Sequence, residues 1–116
     1  MDEDLGYNPC MSTFHDDKLW QEAYTALLDL FEVTNSGSDD LTDQIRKHAM
    51  MVLTEVAQAV ANRDRKFRDM KLRGVVSIIA ALRSLLSVAW AQEAFDDDTF
   101  AKLDGAYEAL SNKLPR

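Results

Sequence analysis

The run from Gly74 to Ala91, GVVSIIAALRSLLSVAWA, carries a single charge, Arg83, over eighteen residues. A stretch this long and apolar either crosses a bilayer or lies against other apolar surface. Arg83 decides between the two. A charge at mid-membrane costs about 3 kcal/mol or more, and Gly74, Ser77, Ser84 and Ser87 dilute the run further. The run therefore predicts a buried helix and no membrane association. Val75, Ile78, Ile79, Leu82, Leu85, Leu86 and Ala89 fall on one face at three-and-four spacing, and Val76, Ala80 and Trp90 widen it on the flank. A helix apolar nearly all round must be covered nearly all round. Leaving three large apolar side chains in water would forfeit ~1.5–3 kcal/mol each. The excess predicts a homo-oligomer, with Val76, Ala80 and Trp90 as interface candidates.

The remaining chain fits the same architecture. Four glycines and two prolines in 116 residues are too few for the many turns of a strand-rich fold. Residues 1–13 read as an N-terminal arm, and residues 14–116 as one domain. A first helix is predicted over roughly 16–33, with Leu19, Trp20, Ala23, Leu27, Leu30 and Phe31 on its apolar face. Thr34 to Asp40, TNSGSDD, is a loop. A second helix is predicted over 41–62, with Ile45, Ala49, Val52, Leu53, Val56 and Val60 inward and Asp39, Asp40 or Thr42 as its cap. Asn62 to Arg65 is a polar turn or a kink. A third helix is predicted over 66–94. The fourth opens on an Asp96 cap, with Phe95 and Phe100 spaced as a hydrophobic staple, and Pro115 ends it. Short connections between long helices predict an all-α, antiparallel, up-down-up-down four-helix bundle.

Charge is unevenly spread. Residues 1–40 hold ten acids and one base, residues 41–83 four acids and nine bases, and residues 84–116 six acids and three bases. The net charge of -7 disfavours nonspecific nucleic-acid binding. The one cysteine, Cys10, and an acidic start without an apolar signal core predict a reduced, cytoplasmic setting.

Catalytic chemistry is not legible. Neither His15 nor His48 follows a glutamate by three residues, as di-metal bundles require, so no metal and no cofactor are expected. Cys10 has no base placed beside it by any motif. No phosphate loop, zinc spacing or serine-nucleophile pattern is present. The densest local feature is Asn62 to Arg73, NRDRKFRDMKLR, with Arg63, Arg65, Lys66, Arg68, Lys71 and Arg73 around Phe67. These residues fit a phosphate-binding patch with a stacking ring. They fit better a solvated bundle end that faces the acidic half of a neighbouring subunit, because Asp64 and Asp69 interrupt the cluster and the chain is acidic overall.

Two segments carry a resemblance. Phe14, Leu19, Trp20 and Ala23 form F-x-x-x-x-L-W-x-x-A, and Leu41 to Ala49 read LTDQIRKHA. Both resemble the bacterial four-helix-bundle family of ribosomal RNA intervening-sequence proteins, which includes the accessory variability proteins of diversity-generating retroelements. Where many members continue Asn-Ile-Ala-Glu-Gly, this chain has Glu55, Val56, Ala57, Gln58 and Ala59. The resemblance implies an up-down bundle without catalysis and a homopentameric ring. For some relatives it implies work with RNA. The leading expectation is a non-enzymatic, self-assembling scaffold or adaptor. The alternative is an RNA- or DNA-binding accessory protein using the basic patch.

Overall fold

Four aspartates set the helix starts. In the computed structural model, which describes residues 13–116, α1 spans Lys18–Thr34, α2 Asp40–Val60, α3 Arg65–Ala91 and α4 Asp97–Asn112. Asp17, Asp39, Asp64 and Asp96 immediately precede them, and each carboxylate accepts a backbone N–H of its helix's first turn. These bonds satisfy donors that have no partner within the helix and place negative charge at the positive end of the helix dipole. A short 3-10 turn, Phe14–Asp16, leads into α1. No strand occurs among the described residues. Apart from Thr13, the expected arm lies outside the described residues, as does Cys10.

Several boundaries differ from expectation for local reasons. Helix one begins two residues later than the predicted 16, because Asp17 is its cap. Among the three cap candidates for α2, Asp39 holds the position, at 2.7 Å from the Thr42 nitrogen. The segment before α3 is a turn and not a kink. The Asn62 side chain accepts from the Asp64 N–H at 2.8 Å, and Asp64 in turn caps α3. Side-chain oxygens thus do what glycine or proline would otherwise do.

The third helix stops three residues early. Glu93 takes a left-handed conformation, φ 65°, and the Ala94 N–H bonds back to the Ala89 carbonyl at 2.9 Å. This is the closing pattern usually given to glycine. The fourth helix ends at Asn112, before Pro115, and Leu114 is buried beyond its end.

The described helices enclose one apolar core. α1 packs on α2 and α4, and α3 packs on the same two. The inward stripe of α3 is Leu72, Val75, Ile79, Leu82, Leu86 and Ala89. Facing it are Leu27 and Leu30 from α1, Val52 and Val56 from α2, and Leu103 and Tyr107 from α4. Phe95 is buried and Phe100 packs against the core, as a staple requires. Trp20, expected in the core, is only half-buried; its ring stacks on Tyr24 at 4.9 Å.

The outer side of α3 also departs from expectation. It is not bulky all round. Gly74, Ser77, Ala80, Ala81, Ser84 and Ser87 are exposed there, with Met70, Val88 and Trp90 the only large apolar side chains left in water. Small residues remove most of the penalty that an all-round apolar helix would carry. By length and composition α3 is long and apolar enough to cross a membrane, and 28% of its most apolar eighteen-residue stretch is buried. Arg83 at its middle donates from Nε and Nη2 to both Asp104 oxygens on α4, at 2.8 and 3.0 Å.

Three outcomes follow from this packing. Leu82→Ala is expected to cost about 2–5 kcal/mol in urea unfolding, and Trp20→Ala clearly less, because only Leu82 is fully enclosed. Glu93→Gly is expected to stabilise by up to ~1 kcal/mol by relieving the left-handed strain, read as a higher urea midpoint. The third concerns acid. The Thr42 backbone N–H, then its hydroxyl, hold the Asp39 carboxyl below the usual carboxylate range. The Thr99 side chain, then its backbone N–H, do the same for Asp96. Lowered folded-state values give stability that is present above the unfolded value, about 3.9, and lost as pH falls through the folded one. Asp39→Asn with Asp96→Asn is expected to flatten the fall in stability below about pH 4, measured by urea midpoints across that range.

Candidate functional site

The expected basic patch does not form one stripe. Its residues wind around the first turns of α3, because no helix face holds positions 65, 66, 67, 68 and 71 together. Lys71 is committed to Glu55 of α2 at 3.0 Å and lies 5.9 Å from the Phe67 ring centroid. Arg68 is half-buried and, with Arg63, lines an end groove of about 570 Å³ that also holds Phe14, Asp16 and Asp17. Arg63, Arg65, Lys66 and Arg73 remain exposed, with no ion pair among the described residues. Phe67 is half-buried on the α2 side, so its ring is not presented with those four cations.

The expected interface residues are also separated. Val76 is half-buried against the core. Ala80 is exposed and lines a shallow cavity of about 290 Å³ with Arg83, Ser84, Ser87 and Asp104. The Asp104 hydrogen bonds, more than any other influence, raise the basicity of Arg83. Trp90 is used within the chain: its ring stacks on Phe100 at 4.5 Å, and its Nε1–H donates to Asp97 at 2.9 Å.

Among the described residues, three of the five large apolar side chains exposed off α3, Tyr24, Leu28 and Met50, gather elsewhere. On α1, Trp20, Tyr24 and Leu28 follow one another at four-residue spacing, a single ridge along the helix. On α2, Arg46 and Met50 are likewise four apart. The Arg46 guanidinium lies 4.2 Å over the Phe31 ring and donates to the Thr34 carbonyl, so this flank of α2 adjoins α1. The ridge and the flank form one face. Tyr24 is 42% exposed, Leu28 48% and Met50 43%, with Phe31 and Leu53 half-buried beside them.

Beyond the Phe31–Arg46 level that face is also without charge over several turns. Between Trp20 and Phe31 the charges on α1 are Glu22 and Asp29, and both turn toward α4, to Lys113 and Lys102 at 2.6 and 4.0 Å. Between His48 and Asn62 the sole charge on α2 is Glu55, which turns to α3. The sequence pattern had not singled out Tyr24, Leu28 or Met50. Tyr24 and Leu28 each stand four residues from an apolar neighbour on a second, outer ridge, which was the available signal.

Both histidines among the described residues are engaged locally. His48 is half-buried and bonds to the Gln44 carbonyl at 2.8 Å; His15 stacks on Phe14 at 4.1 Å. Among the described residues no group of three or more His, Cys, Asp or Glu is placed to hold a metal. Burial, aided by the nearby Asp29 charge, pushes the Tyr107 hydroxyl's pKa upward, so it stays protonated. No family model matches the chain, and no curated protein matches it.

Proposed function

We propose that this chain is a non-enzymatic, up-down-up-down antiparallel bundle that assembles with copies of itself and serves as a scaffold or adaptor in the cytoplasm. The observation that carries the reading is the α1–α2 face: large apolar side chains exposed in the lone subunit, with Glu22, Asp29 and Glu55 turned to other helices and Arg46 laid over the Phe31 ring. Exposed apolar patches without charge at their centre mark association surfaces. The resemblance to the intervening-sequence family, whose characterised members are rings, supports self-assembly independently of the face. An enzymatic role has no convergent polar constellation behind it among the described residues.

Sedimentation equilibrium at micromolar concentration is expected to report a mass above the 13.1 kDa of one chain. A 13.1 kDa species throughout would end this reading. The competing reading, an RNA- or DNA-binding accessory protein, is tested by titrating labelled single-stranded RNA at low salt. No binding is expected. Binding that weakens steeply with salt, and disappears on reversing Arg65, Lys66 and Arg68, would favour that reading instead.

A further inference from the structure

We infer that the α1–α2 face is covered by the same face of a second copy, paired across a two-fold axis that runs along the bundle; this rests on the self-assembly reading above. The area argument comes first. Tyr24, Leu28 and Met50 together leave roughly 200–300 Å² of side-chain surface in water. A stable protein contact buries about 800 Å² on each partner, a little over half of it apolar. The three side chains therefore supply the dry centre of such a contact, and the half-buried Trp20, Phe31 and Leu53 extend it.

The rim says what the partner is. Phe31 and Arg46 stand at one level, since the guanidinium covers the ring. Glu32 and Lys47, one residue on from each, are exposed at that level, and neither has an ion pair among the described residues. A partner that answers both must offer a base opposite α1 and an acid opposite α2. The same face of this chain does so. Turned about an axis along the bundle, the second copy lays its α2 over this α1 and its α1 over this α2. Glu32 then meets the partner's Lys47, and Lys47 the partner's Glu32. The five-residue connection from α1 to α2 keeps that end of both helices together. Leu28 and Met50 thus both lie just beyond the Phe31–Arg46 level, and each meets the other's counterpart. Such a contact is self-complementary and closes on itself.

The test is native mass by light scattering, with helicity and thermal midpoint followed for each variant. The native chain is expected at twice 13.1 kDa, or at a higher even multiple. Leu28→Glu with Met50→Glu is expected to fall to one chain's mass with its helicity intact, whereas Ser84→Glu on the outer side of α3 leaves the mass unchanged. Should the double variant fail to fold, the charge swap decides. Glu32→Lys and Lys47→Glu are each expected to weaken association several-fold by placing like charges together, and the two combined to restore it. A native chain that stays at 13.1 kDa overturns the self-assembly reading itself. A native assembly that keeps its mass in the Leu28, Met50 variant, fails to recover in the combined swap, or contains an odd number of chains, such as the five that the resemblance implies, overturns the two-fold face while leaving self-assembly in place.

Discussion

Burial of one stripe of α3 organises the molecule. Leu72, Val75, Ile79, Leu82, Leu86 and Ala89 run along a helix of 27 residues and are the only α3 side chains fully enclosed. At 1.5 Å per residue that stripe is about 26 Å long from its first member to its last. No single neighbour of 16 to 21 residues covers both sides of it, so α2 and α4 flank it while α1 closes the far side of the core. The helix ends are then brought within reach of one another, and short connections suffice.

The acidic balance of the chain has a structural use that net charge alone does not express. One aspartate opens each helix, and in two of the four cases further acids occupy the first turn. Other acids are spent between helices: Glu55 with Lys71, Asp104 with Arg83, Glu22 with Lys113. Surface pairs of this kind add little stability singly. Their larger effect is on where charge is not. Among the described residues the ion pairs join α1 to α4, α2 to α3 and α3 to α4, and the seam they leave without one is α1–α2, closed instead by the Arg46 guanidinium over the Phe31 ring. That seam carries the exposed apolar ridge. A surface cleared of charge in this way is costly to leave in water and inexpensive to cover.

The basic segment Asn62 to Arg73 looks different in three dimensions. In one dimension its six bases form a cluster with an aromatic ring inside it. Helical geometry divides the cluster around the axis: Lys71 goes to Glu55, Arg68 to the end groove beside Asp16 and Asp17, and Phe67 to the α2 side. The four cations left in solvent surround the start of α3 as a charged collar.

How much was legible depends on the kind of signal. Periodicity is a property of neighbours three and four apart, so the sequence alone determined that the described residues form four helices and where the centre of each inward stripe lies; Ile45, Val52, Val56, Ile79, Leu82 and Leu86 are all enclosed as their spacing implies, while Phe31, Leu53, Val60, Ile78 and Leu85 from the same stripes are only half-buried. The Asp96 cap and its Phe95–Phe100 staple were equally local and equally plain. What the pattern could not give was the end of α3, because Glu93 takes a left-handed turn with no glycine to announce it, or the depth of Trp20, which depends on how far α2 leaves its flank open. Nor could it say which apolar surplus stays outside. Val76 and Ile78 pack half-buried against the core, while Tyr24, Leu28 and Met50 are left on a seam. Only the tertiary structure decided that, because exposure is set by the distance and tilt between helices far apart in the chain, and no local spacing encodes either.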